Sequence, residues 1–345
     1  MTERDVYKMT QRDAVIDGFL ADHGWKGAKR ARLPADASFR RYERLSLGGR
    51  NAMLMDAPPP RENVDAFVAV ARHLKSLGFS APDIFAKDKS NGFLIIEDLG
   101  DETFTQLLAS SKDAAETELY QLGVDVLIAL HGIEPARVMP PGIEEYDAGK
   151  LLGEALLLVD WTWPAVFGDD AAPASDAVRD AYRDAWLAVF AGLDGQPPTL
   201  VLRDYHVDNL MIVNGRHGIA RCGLLDFQDA VRGPGAYDLM SLLEDARRDV
   251  GDDLKAAMME RYLNAFPAIE RPGFEAAFAI LAAQRHAKVI GIFTRLSRRD
   301  AKPDYLAHLP RVWRLLENAL ADPALAPVAA WFDAHFPPDK RGLSA

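Results

Sequence analysis

Cysteine is nearly absent: Cys222 is the single one in 345 residues. That excludes an intrachain disulfide and a zinc site built from several thiolates. Cys222 stands in the apolar run Cys222-Gly223-Leu224-Leu225, where it reads as a small buried hydrophobe. Positive charge is in deficit, with 40 basic against 51 acidic side chains and a formal net charge of -11. A field of that sign repels polyanions, so nucleic acid is not an expected partner. A small anionic ligand would need local cations or a divalent metal to offset it. Long hydrophobic runs are missing too. Residues 1–12 are charged and lack the apolar stretch of a secretory signal. No later run reaches the roughly 20 apolar residues that cross a bilayer, and residues 151–163 are broken by Glu154 and Asp160. The expected compartment is the cytoplasm, with no membrane partner. Internal repeats and low-complexity tracts are also lacking.

What is present has an ordinary globular balance, 49% hydrophobic and 26% charged, enough for a large core. Val15, Ile16, Phe19 and Leu20 give residues 11–23 a helical period. From 28 to 56 the texture changes to short strands, 40–47 and 51–56, separated by Gly48-Gly49 as a hairpin turn. Residues 63–77 return to a helical period, and 93–97 is a short apolar strand ending at Asp98-Leu99-Gly100. Beyond it helical patterns dominate, interrupted at 199–227 by short β-rich runs. The expectation is an α+β chain of two lobes: a small antiparallel-sheet lobe over residues 1–98 and a larger, mostly helical lobe over 99–345.

The most informative stretch runs from Leu200 to Asp226. An apolar strand at 200–202 leads into the polar loop holding Asp204, Asp208 and Asn209. A second strand at 210–213 turns at Asn214-Gly215 and returns as 222–225, ending at Asp226. Antiparallel pairing of those two runs would set Asn209 opposite Asp226. An amide oxygen and a carboxylate are hard donors suited to Mg²⁺, which takes few protein ligands and leaves the rest to phosphate and water. Asp204 could then accept the proton of an attacking hydroxyl. Singly these residues would only cap turns. Together, Asp204, Asn209 and Asp226 match what phosphoryl transfer from ATP requires.

Here the sequence resembles a known superfamily. Arg203-Asp204 with Asn209 is similar to the His-Arg-Asp-x4-Asn catalytic loop of kinases, and Asp226-Phe227-Gln228 to their Asp-Phe-Gly metal motif. Leu225-Asp226-Phe227-Gln228-Asp229-Ala230, followed by Tyr237-Asp238-Leu239, brings it closer to the aminoglycoside and choline phosphotransferases. The runs 34–42, 55–59, 226–230 and 284–293 resemble the N-acetylmuramate/N-acetylglucosamine anomeric kinases of bacterial cell-wall recycling. That resemblance implies a protein-kinase-like two-lobe fold, ATP and Mg²⁺ as cofactors, and phosphorylation of a sugar's anomeric hydroxyl.

It also implies roles for residues at matching positions. Asp204 is the expected base, and Asn209 and Asp226 the metal ligands. Ser38, Phe39, Arg40 and Arg41 are the expected phosphate-side contacts, with Glu97 and Leu99 at the adenine-binding hinge. Arg203, His206, Trp163, Arg285 and Lys288 are sugar-contact candidates. Arg203 has an alternative as an ion-pair partner of Asp208 or Asp229, Trp163 as core packing, and Arg285 with Lys288 as a solvated or salt-bridged helix face. The pattern departs from the family in three places. Leu202 replaces the motif histidine, 35–39 lacks glycines, and 51–56 lacks the phosphate-binding lysine, which leaves Arg40 or Arg41 as the replacement cation. Another alcohol as acceptor, or a pseudokinase that binds nucleotide without turnover, remain the alternatives.

Overall fold

A computed structural model describes residues 3–33, 40–110, 113–168 and 174–341. The chain folds into two compact units. One comprises the residues up to Glu102 together with Met211–Asp229; the other comprises Thr103–Leu210 together with the residues from Ala230 on. The segment carrying Asp226 thus belongs to the N-terminal unit.

In the first unit the strands β1 (Lys29–Arg32), β2 (Arg41–Leu47), β3 (Arg50–Asp56), β4 (Ile84–Asp88) and β5 (Phe93–Ile96) form one sheet. Its order is β1-β2-β3-β5-β4, antiparallel throughout. Gly48 and Gly49 both take positive φ, 57° and 79°, the conformation a two-residue hairpin between right-twisted strands demands. The first helix is longer than its apolar period, spanning Glu3–Asp22. Its Ile16, Phe19 and Leu20 pack with Trp25, Leu45, Leu54, Phe93 and Ile95 into a core cluster. Burying several such side chains at about 25 cal/mol per Å² covers that sheet face. The helix Val64–Ser76 is capped by Asn63, whose side chain accepts the N–H of Asp65, and it buries Phe67, Val68, Ala71 and Leu74. The strand Cys222–Leu224 pairs with Leu210–Ile212 and is fixed by Leu224 donating to the Ser80 carbonyl at 2.9 Å.

The second unit is helical around the 30-residue helix Arg271–Asp300. Length and composition alone would let this helix cross a bilayer, contrary to the expectation of no such run, but 78% of its apolar window is buried inside the protein. It is a core helix, enclosed by its neighbours over most of its length, with Arg285, His286 and Lys288 among the buried residues. Gly291 permits one close approach: a Cβ there would stand 2.3 Å from the carbonyl carbon of Leu157. At that point the helix Ala148–Leu157 widens into the π-turn Leu158–Thr162. A two-stranded ribbon, Pro198–Val201 antiparallel with Val231–Pro234, carries the chain into the loop of Asp204.

Candidate active site

The loop 202–209 is held from beneath by a carboxylate. Asp238, with no exposed surface, accepts the N–H of Leu202 at 2.6 Å and of Arg203 at 2.9 Å through its two oxygens. Burial pushes its pKa up to about 7, while the two N–H donors favour the charged form. The clamp lets Arg203 adopt φ 69°, a left-handed conformation that costs a non-glycine residue about 1–3 kcal/mol. Nη1 of Arg285 donates to the Arg203 carbonyl at 3.0 Å. Asn209 closes the loop, its Nδ2 donating to the Asp204 carbonyl at 2.8 Å and facing Nε2 of His206 at 3.3 Å. With the amide nitrogen engaged by the loop, Oδ1 is the end that can serve a cation.

The Asp204 side chain is 35% exposed, and Arg285 Nη1 stands 3.8 Å from its Oδ1. Burial disfavours its charge, but Arg285, Lys288, His206 and Arg203 together outweigh that and hold its pKa below the usual carboxylate range. Asp204 is therefore an ionised acceptor at neutral pH.

Around the loop lies an ion network that the sequence reading did not foresee. Glu154 pairs with Arg203, with Lys288 at 2.9 Å and with Gln284 Nε2 at 3.2 Å, and it accepts the hydroxyl of Tyr146. Arg203 stacks over the Tyr146 ring and Arg285 over the Tyr237 ring. Arg203 has Glu154 as an ion-pair partner that the sequence reading did not name. Arg285 and Lys288 do not form a solvated face: each is 8% exposed and turned toward the loop and Glu154. His206 is buried within the loop, and burial lowers its pKa. Trp163 sits apart from this network, in an aromatic cluster with Phe167, Trp331 and Phe336.

Within the first unit, Arg40 and Arg41 separate in role. Arg40 Nη2 donates to Asp226 Oδ1 at 2.8 Å, and its Nε stands 3.5 Å from Glu62. Arg41 is tied to Asp56 at 2.7 Å, and Asp56 also accepts Arg12 Nε at 2.8 Å. The strand position that lacks a lysine thus carries a carboxylate neutralised by two arginines. Asp226 has φ 56° and accepts Gln228 Nε2 at 3.1 Å; Phe227 stacks on Phe67 with centroids 5.0 Å apart. The Glu97 carboxylate is engaged by Arg216 and by the N–H of Asp83, and Leu99 packs with Met211 and Val213. Ser38 and Phe39 lie outside the described residues. The Asp226 carboxylate offers oxygen donors only, the chemistry a hard cation such as Mg²⁺ takes.

A small antiparallel sheet, a mostly helical remainder, and a clamped Asp-x4-Asn loop with an Asp-Phe strand end define a kinase-like phosphotransferase. Residues 29–277 match the family model of the phosphotransferase enzyme family APH, and the chain belongs to that family. Among curated proteins it is 36% identical to an N-acetylmuramate/N-acetylglucosamine kinase of Caulobacter vibrioides, over 96% of this chain and 99% of the relative. It is 37% identical to the protein of the same name from Pseudomonas aeruginosa, over 90% of each. Among solved structures, a choline/ethanolamine kinase family protein of Mesorhizobium loti superposes with a TM-score of 0.61 at 15% identity, covering 93% of this chain and 98% of that one.

Proposed function

We propose that the chain phosphorylates the anomeric hydroxyl of N-acetylmuramate and N-acetylglucosamine with ATP, in the cytoplasmic recycling of cell-wall sugars. The observation that carries this reading is Asp204: a fixed, partly exposed carboxylate kept ionised by surrounding cations, in a chain related end to end to kinases of that name. Asp204 takes the proton of the hemiacetal hydroxyl as its oxygen bonds to the γ-phosphorus. The bond from phosphorus to the bridging oxygen breaks, and ADP leaves with the electron pair. A hemiacetal hydroxyl is more acidic than an ordinary alcohol, so a carboxylate of depressed pKa is an adequate base. Asn209 and Asp226 are the proposed ligands of Mg²⁺, which when bound neutralises charge on the β- and γ-phosphate oxygens. Arg40 is the proposed phosphate-side cation, with main-chain groups at Glu97 and Leu99 for adenine.

A cationic aminoglycoside acceptor is disfavoured, because the side chains around Asp204 are Arg285, Lys288 and Arg203. Family membership and the ionised base argue against a silent pseudokinase. The test is to mix protein, ATP, Mg²⁺ and N-acetylmuramate and follow ³¹P signals. A sugar 1-phosphate resonance is expected, and ATP left intact in the presence of both sugars would reject the assignment.

A further inference from the structure

Arg203 closes a turn that its residue type does not favour. The N–H of Asp204 donates to the Leu202 carbonyl at 2.9 Å, and Arg203 between them takes φ 69°. A hydrogen bond to the second residue back, around a positive φ, is the γ-turn of the rare, strained hand. Strain of this kind persists only where the surroundings over-determine it. Asp238 fixes the turn from the N–H side. The carbonyl side is held by two further donors, Nη1 of Arg285 at 3.0 Å and Oγ of Ser241 at 3.3 Å. The Arg203 carbonyl belongs to the peptide plane that leads into Asp204. The donors that hold it therefore set the direction in which the Asp204 side chain leaves the backbone.

The surroundings of Arg285 suit this task. Its Nη1 carries two hydrogens: one serves the Arg203 carbonyl and the other the hydroxyl of Tyr237 at 3.2 Å, whose ring the guanidinium also overlies. Asp204 Oδ1 stands 3.8 Å from the same nitrogen, beyond hydrogen-bond range, and feels the guanidinium as a charge. Both Nη1 hydrogens are thus committed to protein, and only 8% of the residue is exposed. This is the setting of a brace, and not of a group that exchanges partners with a sugar. Lys288, one turn further along the same helix, pairs with Glu154 at 2.9 Å, and Glu154 pairs with the Arg203 side chain. The core helix grips Arg203 by main chain and side chain together.

We propose that Arg285 is a positioning residue for the base, holding the peptide between Arg203 and Asp204 in the strained turn so that the Asp204 carboxylate stays aimed at the acceptor hydroxyl. This is a different role from the sugar contact that the resemblance implied. It deepens, and rests on, the reading of Asp204 as the base. Arg285 touches neither reactant, so its loss lowers turnover without weakening the binding of either substrate. It also acts through Asp204, so once that carboxylate is gone nothing is left for it to position.

The experiment compares wild type with Arg285→Met and Arg285→Lys, each in the natural background and in Asp204→Asn. It reads kcat, KM for N-acetylglucosamine and for ATP, melting curves and amide hydrogen exchange. Arg285→Met is expected to lower kcat about tenfold or more with both KM values within about twofold, the pattern of an interaction that serves the transition state alone. In the Asp204→Asn background it is expected to change kcat little, because the two residues act as a unit. Exchange at residues 202–206 is expected to quicken about tenfold while the rest of the second unit keeps its protection. Lysine keeps the charge and loses the planar fork, so Arg285→Lys is expected to fall between wild type and Arg285→Met on every reading. If Arg285→Met fails to fold, Arg285→Lys decides, and wild-type kcat and exchange in that variant would overturn the proposal. A raised KM for the sugar with kcat kept would make Arg285 a sugar contact. An equal loss of kcat in both backgrounds, or unchanged exchange at 202–206, would leave it a structural residue only. Either result overturns the proposal. If wild type phosphorylates no sugar, the anomeric-kinase reading falls, while the exchange comparison still decides whether Arg285 holds the turn.

Discussion

Nη2 of Arg40 donates to Oδ1 of Asp226 at 2.8 Å, joining residues 186 apart in sequence. The neighbouring Arg41 is committed instead to Asp56, which separates two cations that look interchangeable in the sequence. Charge-assisted bonds of this kind contribute about 1.5–3 kcal/mol. Arg40→Met is therefore expected to raise the KM for ATP about tenfold or more. Arg41→Met is expected to leave it nearly unchanged and to lower Tm, because Asp56, 4% exposed, loses one of its two guanidinium partners. Equal effects of the two variants on KM would contradict the separation.

Asp204→Asn removes the proton acceptor while leaving an amide of the same shape beside Arg285. General-base catalysis is worth about 10²–10⁴-fold, and kcat is expected to fall by that order. The loop remains clamped by Asp238 and Asn209, so protection by ATP in thermal-shift titration should persist. A variant with near-wild-type kcat would take Asp204 out of the chemistry.

Glu154 ties the loop to the core helix through Arg203 and Lys288, and it governs a pH dependence. Burial disfavours its charge, but Lys288 and Arg203 outweigh this and hold its pKa below the ordinary value of 4.5. The folded chain thus binds this proton less tightly than the unfolded one. The resulting stability is present above about pH 4.5 and is lost as pH falls through the lower folded value. Glu154→Gln leaves two buried cations without their anion, so a loss of about 3 kcal/mol at pH 7 is expected. Its urea midpoint should change less than that of wild type on acidification below pH 4.5. Parallel acid profiles for the two proteins would show that Glu154 does not set this dependence.

Gly291→Ala tests the packing of the core helix. The added methyl would lie 2.4 Å from the Leu157 carbonyl oxygen, against backbone that cannot swing aside as a side chain can. Overpacking of this kind costs about 1–3 kcal/mol, read as a fall in Tm. An alanine variant as stable as wild type would mean that the π-turn relaxes freely.

The local features of the fold were legible because they are written in short range. The Gly48-Gly49 hairpin, the helical period of 63–77 and the Asp204-x4-Asn209 spacing each lie within one element or loop, where turn chemistry and period decide. What escaped depends on contacts between distant segments. Glu154 appeared only as an acidic break in an apolar helical run, yet a carboxylate in such a run is the mark of a buried ion pair whose partners the sequence does not name. Asp238 was noticed as part of a resemblance, and its grip on Leu202 and Arg203 became visible only once the helix Ala236–Leu243 was placed under the loop. The ribbon strand Val231–Pro234 went unread because glycine and proline hide its β character. Arg285 and Lys288 could be read either as sugar contacts or as a solvated or salt-bridged face, because a partner such as Glu154 for Lys288 lies far away in the chain.

The lone thiol of Cys222 is 1% exposed, and burial drives its pKa upward, which keeps it protonated. A protonated, enclosed sulfur does not react with alkylating reagents. The native chain should therefore take up label only as fast as the strand Cys222–Leu224 opens. Alkylation rate becomes a built-in clock for breathing of the segment that carries Asp226. A cysteine introduced at any exposed position could then be tagged selectively without first mutating the natural one.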